Sequence, residues 1–206
     1  MRSEVAWTAR QWPAVEHVAV TVDIDGWTAD GAMVGVLDGA AVRLTYRLRV
    51  DGDGATRALD IADSVGGASV SLRTDGQGRW WGADGTARPD LKGCIDVDIS
   101  TTPLTNTLPV RRLGLAPGES AEIHVGYVDV PSLNISATSQ RYTRIDRQTY
   151  RYTSGSFAAN VIFDDDDLVT DYVDFWQRVP IEHPGKTKTT CGWYQDQGHD
   201  VYRPDP

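Results

Sequence analysis

Lysine and cysteine are scarce in this chain of 206 residues. Its only lysines are Lys92, Lys186 and Lys188, and its net charge is −9. A nucleic-acid binder must neutralise phosphates with clustered positive charge, so we expect no nucleic acid as a partner. Cys94 and Cys191 are too few and too far apart to indicate a disulfide framework.

Membrane-anchoring segments are also missing from the sequence. No stretch reaches the roughly 18 consecutive apolar residues of a membrane span. The N-terminal MRSEVAWTARQWPAVEHV lacks the apolar core of a signal peptide. We therefore expect a soluble, cytoplasmic protein without integral membrane association. The sequence does not specify its oligomeric state.

Metal and cofactor motifs are absent as well. The Asp-rich stretches at 23–27, 51–55 and 164–167 lack the oxygen ligands or the glycine of a calcium-binding EF-hand loop. The four histidines form no His-Glu-x-x-His pattern, and no glycine-rich nucleotide loop is present. We expect neither a metal nor a cofactor.

β-Strand patterns dominate what the sequence does contain. Over residues 42–50, apolar side chains alternate with Arg and Thr, which is typical of an antiparallel strand with one buried face. The same period recurs at 18–24 and 157–163. Residues 121–130 are predicted to form a further strand that stops at Pro131.

Turn residues separate these strands. Six Asp-Gly pairs can supply the positive φ that tight hairpins need. They are Asp25-Gly26, Asp30-Gly31, Asp38-Gly39, Asp51-Gly52, Asp75-Gly76 and Asp84-Gly85. We predict a mainly β fold with one antiparallel domain over residues 1–179 and a C-terminal tail over 180–206. We expect Trp193 and Tyr194 to pin the tail to the domain.

Two carboxylates stand out in the predicted strand at 94–99, because alternation places Asp96 and Asp98 on one face. Carboxylates roughly 6–7 Å apart at Cα could act as the acid–base pair of a hydrolase. They could instead contact a polar ligand. The favoured interpretation is an ion pair between one of them and Arg111 or Arg112. These arginines could otherwise clamp an anionic ligand.

The segment after this strand is the best helical candidate. Thr102 can cap a helix with Pro103 at its first position, and Pro109 keeps that helix short or kinked. Hydroxyl and amide side chains over 101–107, including Asn106, can either satisfy backbone groups or bind sugar hydroxyls.

Aromatic residues provide further candidates. Trp80 and Trp81 follow a Gly-rich turn and would face opposite sides of a strand, so that one of them could form a ligand platform instead of core packing. Tyr142 belongs with Tyr150, Tyr152 and Tyr172 to a group with an apolar ring and a polar tip.

The central motif resembles that of a known family. The sequence CIDVD at 94–98, followed by TPLTNTLPVRRL at 102–113, resembles the signature of the bacterial family called putative glycolipid-binding proteins. Further similar segments follow in order at 127–133, 140–143 and 150–172. The resemblance covers about residues 7–179.

This resemblance implies a strongly curved antiparallel sheet, a half-open barrel around a short helical or irregular segment, similar to periplasmic lipoprotein carriers. It also implies non-catalytic binding of an amphipathic small molecule, such as a glycolipid, in the concavity. We predict ligand contacts at Asp96, Asp98, Asn106, Arg111, Arg112, Trp80 and Tyr142, and no catalytic residue. Two alternatives stay open: a glycan or ester hydrolase that uses Asp96 and Asp98, and a structural or interaction module without a ligand.

Overall fold

A computed structural model describes residues 1–181 as one fourteen-stranded β-sheet. The strands are β1 (Arg2–Ala9), β2 (Ala14–Asp23), β3 (Gly26–Leu37), β4 (Ala40–Asp51), β5 (Thr56–Asp63), β6 (Ser69–Thr74), β7 (Trp80–Gly82), β8 (Asp96–Ile99), β9 (Ser120–Asp129), β10 (Asn134–Arg144), β11 (Thr149–Ser154), β12 (Phe157–Phe163), β13 (Val169–Tyr172) and β14 (Trp176–Val179). The helical elements are 3-10 helices at Pro89–Leu91 and Leu104–Asn106 and the α-helix α1 (Thr107–Leu113). Trp193 and Tyr194, expected to pin the tail, lie outside the described residues, and the domain and tail boundaries stay a prediction.

The sheet is a curved meander whose two halves are joined by its terminal strands. Its order is β7-β6-β5-β4-β3-β2-β1-β14-β13-β12-β11-β10-β9-β8, so β1 and β14 lie side by side. The sheet does not close into a barrel, because β7 and β8 remain its two edges. The segments that lead into these two strands are in contact: the Gly93 amide donates to the Gly78 carbonyl at 2.9 Å, and Trp80 Nε1 donates to the Cys94 carbonyl at 2.8 Å. The predicted mainly β, half-open fold is confirmed.

The period-2 pattern in β4 corresponds to a buried inner face. Val42, Leu44, Tyr46, Leu48 and Val50 are all buried, and the residues between them are exposed. β4 pairs with β3 and β5 on its two sides. The alternation in the sequence predicts this strand correctly, because the burial of each side chain depends only on the face of the sheet on which it lies.

One of the six Asp-Gly turn predictions is wrong. Asp30 and Gly31 lie within β3, and Gly31 pairs with Tyr46 on β4. A Cβ atom at Gly31 would lie 2.1 Å from Cζ of Tyr46, so the glycine leaves room for the tyrosine ring. Packing across the sheet explains this glycine, and no turn is needed.

The pairing of β8 with β9 is parallel, which departs from the predicted antiparallel sheet. Parallel neighbours need a crossover connection, and here it contains the 3-10 helix and α1. The predicted cap is displaced by one residue: the 3-10 helix starts at Leu104 with Pro103 at its N-cap, and Thr102 Oγ1 accepts a hydrogen bond from the Leu104 amide at 3.1 Å just before it. Pro109 lies in the first turn of α1, where an amide needs no helical partner. Residues 101–110 are all buried, so this crossover is part of the core.

The part of the chain that the structure describes contains no helix long and apolar enough to cross a bilayer.

Candidate functional site

An open cleft of about 410 Å³ lies where the crossover after β8 faces the C-terminal strands. We call it the aromatic cleft, because seven of its twelve lining residues carry aromatic rings. The lining residues are Trp12, Asp98, Ser100, Thr102, Asn106, Tyr127, Tyr152, Ser154, Phe157, Tyr172, Phe175 and Trp176. The volume falls within the range of small-molecule sites.

The aromatic wall is a network of edge-on and tilted ring contacts. Phe175 packs against Phe157 at 5.2 Å and against Tyr172 at 5.3 Å between ring centroids. Tyr152 adds contacts at 5.9 Å to Phe157 and 6.3 Å to Tyr172. Phe157 is 38% exposed and forms the rim. Such pairs hold one another in place, so the wall is largely formed before any ligand arrives.

Asp98 supplies the charge in the polar part of the cleft. Its Oδ1 accepts a hydrogen bond from Thr105 Oγ1 at 2.9 Å, and its Oδ2 accepts one from Gln140 Nε2 at 2.6 Å. Burial raises the pKa of this carboxyl, and the side chains of Gln140, Thr105 and Tyr152 oppose the shift. Burial and then the charge of Asp98 raise the pKa of Tyr152 and of Tyr172, so both hydroxyls stay protonated.

Asn106 lies beside this carboxylate on the cleft wall and is held from two sides. Its Nδ2 donates to the Pro103 carbonyl at 3.2 Å, and its Oδ1 accepts from the Tyr142 hydroxyl at 2.9 Å. The Tyr142 ring packs against Tyr152 at 5.2 Å. Tyr142 therefore supports the cleft from behind without lining it.

A buried carboxyl lies behind Thr102. Glu16 has no exposed surface, and its Oε2 accepts a hydrogen bond of 2.7 Å from Thr102 Oγ1. The Tyr46 hydroxyl donates to Glu16 Oε1 at 2.7 Å. Burial raises the pKa of Glu16 to about 7, while both hydrogen bonds oppose the shift. This network connects the core of β2 and β4 to the cleft wall.

Asp96 and Arg112 form the ion pair that the sequence favoured. Arg112 Nη2 lies 2.6 Å from Asp96 Oδ2, and its Nε lies 3.1 Å from Oδ1. The Asp96 side chain has no exposed surface. Burial raises its pKa and Arg112 opposes the shift. Asp96 does not line the cleft with Asp98, so the carboxylate pair that the hydrolase alternative requires is not assembled there.

Two further predicted residues lie away from the aromatic cleft. Trp80 is buried near the sheet edge, where it donates to Cys94 as described above. The Arg111 guanidinium lies 5.2 Å from the centroid of the Trp27 ring, and its Nε donates to the Asp166 carbonyl at 3.2 Å. Of the seven predicted ligand contacts, the structure brings Asp98 and Asn106 to the cleft.

Sequence reasoning did not identify several lining residues. Trp12, Phe175 and Trp176 come from opposite ends of the chain and meet because β1 pairs with β14. No local pattern indicates that pairing. Glu16 did have a signal, since it shares the inward period-2 positions of β2 with Ala14 and Val18. A carboxylate at such a position indicates a buried polar network.

Among residues 1–181, no group of three or more His, Cys, Asp or Glu side chains is arranged to hold a metal ion.

Comparison with known proteins identifies the family of the chain. A crystal structure of a DUF1089 family protein from Pseudomonas aeruginosa is similar, with a TM-score of 0.73. The two sequences are 37% identical, and the match covers 81% of this chain and 92% of that chain. None of the curated proteins matches the chain. A family model described as "Putative glycolipid-binding" matches residues 4–178. The chain therefore belongs to this "Putative glycolipid-binding" family, as its central motif indicates.

Proposed function

We propose that the protein binds an amphipathic small molecule, such as a glycolipid, in the aromatic cleft and does not catalyse its conversion. The observation that carries this proposal is the composition of the cleft wall. Seven aromatic rings line it together with Asp98, Asn106 and three hydroxyl side chains. An amphiphile can place its apolar part against the rings and its polar part against these groups.

Trp12 and Trp176 form a fixed pair of indole rings in the cleft wall. The Trp12 ring packs edge-on against Trp176 at 5.7 Å between ring centroids, which fixes its position. Such large aromatic surfaces suit the apolar part of an amphiphile.

No observation specifically supports the two alternatives, a hydrolase and an interaction module without a ligand. A hydrolase that uses Asp96 is disfavoured by the bidentate contact of that carboxylate with Arg112. A module without a ligand leaves the open cleft unexplained. We propose that the protein acts in the cytoplasm, in keeping with the free, buried thiol of Cys94. The net charge of −9 supports our proposal that it binds no nucleic acid.

Binding can be measured directly with a neutral alkyl glycoside. We expect dodecyl maltoside, titrated below its micellar concentration, to change the tryptophan emission, because Trp12 and Trp176 line the cleft. Native mass spectrometry should then show a one-to-one complex. An unchanged emission together with no bound amphiphile would refute the proposal.

The matched variants are Phe157→Ala and Ile145→Ala. Phe157 is an exposed apolar residue on the cleft rim, whereas Ile145 is an exposed apolar residue that does not line the cleft. Removing the Phe157 ring should weaken binding about three- to tenfold, because it removes aromatic contacts. The Ile145 variant should bind like the unmodified protein. Equal losses in both variants would indicate that the probe binds elsewhere.

A further inference from the structure

Asp96 and Asp98 are two residues apart on β8, yet their side-chain partners differ in charge. Arg112 neutralises Asp96 through two hydrogen bonds. The side chains that stabilise the Asp98 carboxylate are neutral: they are the Thr105 hydroxyl, the Gln140 amide and the Tyr152 hydroxyl. Within residues 1–181, no cationic side chain lies within ion-pair distance of Asp98. A half-buried carboxylate thus lacks a counter-charge at the point where it faces the cleft.

Among residues 1–181, the lining of the aromatic cleft contains no basic residue to supply that charge. Among its twelve described residues, Asp98 is the one charged side chain, and none is Lys, Arg or His. A phosphate, sulfate or carboxylate headgroup would therefore meet a like charge without a compensating donor cation. A neutral polyol would leave the carboxylate unpaired.

The aromatic wall also favours a positively charged group on the ligand. The faces of aromatic rings carry partial negative charge, and a cation within about 6 Å of a ring centroid is attracted to it. Tyr152, Tyr172 and Phe175 border the cleft with Asp98, so a bound cation would meet both a carboxylate and ring surfaces. Partial exclusion of water from the cleft strengthens both interactions.

We propose that the ligand of the aromatic cleft is an amphiphile whose headgroup carries a protonated amine, with the nitrogen placed against Asp98. This inference rests on the proposed function and specifies the chemistry of its ligand. An amino sugar or a simple alkylamine would supply the same ammonium group. An amino sugar would also use the hydroxyl and amide groups of Ser100, Thr102 and Asn106.

Two glycosides that differ in one substituent provide the test. Dodecyl glucosaminide carries a protonated amine where dodecyl glucoside carries a hydroxyl, so their apolar parts are identical. We expect the glucosaminide to bind at least about tenfold more tightly by isothermal titration calorimetry. Dodecylammonium shows whether the amine alone is sufficient, and dodecyl phosphate should bind most weakly.

The outcomes separate the two proposals. Equal binding of the two glycosides, or tight binding of dodecyl phosphate, would overturn the amine proposal and leave the proposed function intact. If none of the four probes binds, both proposals fail. If dodecylammonium matches the glucosaminide, the ammonium group is recognised without its sugar; if it binds more weakly, an amino sugar is indicated.

Variants of the protein test whether Asp98 causes the preference for the glucosaminide over the glucoside. Asp98→Asn should bring the glucosaminide close to the affinity of the glucoside, and Asp30→Asn, which removes an exposed carboxylate outside the cleft, should not. If Asp98→Asn does not fold, Ser154→Lys tests the same point by placing a cation in the cleft. Thr153→Lys is its matched control, since residue 153 points to the other face of β11. A preference that survives both Asp98→Asn and Ser154→Lys would refute the proposal.

Discussion

The fully buried carboxyl of Glu16 on β2 accepts a hydrogen bond of 2.7 Å from the hydroxyl of Tyr46 on β4. The two strands are not neighbours, because β3 lies between them. The contact is possible because Gly31 of β3 leaves space for the tyrosine ring to cross it. Thr102 adds a second donor to Glu16 from the crossover. One glycine therefore permits a polar contact that links the sheet to the cleft wall.

The first prediction is that Glu16 makes stability depend on pH near neutrality. Burial raises its pKa in the folded state from the ordinary value of 4.5 to about 7. Its stabilising contribution is fully present below pH 4.5 and is lost as the pH rises towards 7, because the unfolded chain has already released the proton. The loss is about 1.4 kcal/mol per pH unit, or roughly 3 kcal/mol over this window.

Glu16→Gln tests this prediction, because the amide resembles the protonated acid and does not titrate. Urea denaturation between pH 4.5 and 7.5 should show a smaller decrease in the free energy of unfolding for the variant than for the unmodified protein. Glu122→Gln, which changes an exposed glutamate, should follow the unmodified protein. Parallel pH profiles for all three proteins would show that Glu16 is not the titrating group.

The second prediction concerns Gly31. Alanine at this position should lower the free energy of unfolding by about 1–3 kcal/mol, because its Cβ would overlap the Tyr46 ring. Gly126→Ala in β9 is the control, since the nearest atom to its Cβ would lie at 3.9 Å. We expect that control to change stability by about 0.5 kcal/mol or less. Equal effects of the two alanines in urea denaturation would contradict the packing argument.

The third prediction concerns the ion pair of Asp96 and Arg112. Arg112→Met should destabilise the fold by about 3–5 kcal/mol, because it leaves a buried carboxylate without a partner. Adding Asp96→Asn should restore much of that loss, since the charge is then removed. Arg141→Met breaks an exposed pair with Glu122 and should cost about 1 kcal/mol or less. If the double variant is no more stable than Arg112→Met alone, the ion pair is not the cause.

Local sequence patterns predicted those parts of the fold that depend on neighbouring residues. The alternation over 42–50 indicated the buried face of β4, and the Thr-Pro sequence at 102–103 directly precedes the 3-10 helix of the crossover. The pairing of a β8 carboxylate with Arg112 could also be foreseen, because the chain returns to the strand within one short helix.

The aromatic cleft could not be foreseen in the same way. Its wall depends on the pairing of β1 with β14, which brings Trp12 next to Trp176. The Trp7 indole likewise donates to the Val169 carbonyl at 2.8 Å from the far end of the chain. Contacts between residues so far apart in the sequence depend on the topology of the sheet, which no local pattern of residues specifies. The cleft is therefore a property of the whole sheet.

The last prediction is that the Cys94 thiol is unreactive while the fold is intact. Cys94 is buried, and burial, with added contributions from the charges of Asp90 and Asp96, raises the pKa of its thiol to about 11. Very little thiolate is then present at pH 8, and reagents have no access to it. In a folded Cys191→Ser variant, labelling of Cys94 by a disulfide reagent should be much slower than in the same variant unfolded in urea.

Trp80→Phe removes the indole donor to the Cys94 carbonyl at the sheet edge and should accelerate labelling. Trp81→Phe, which changes the neighbouring ring, should not. Fast labelling of the folded Cys191→Ser protein would show that the β7 and β8 edges separate readily.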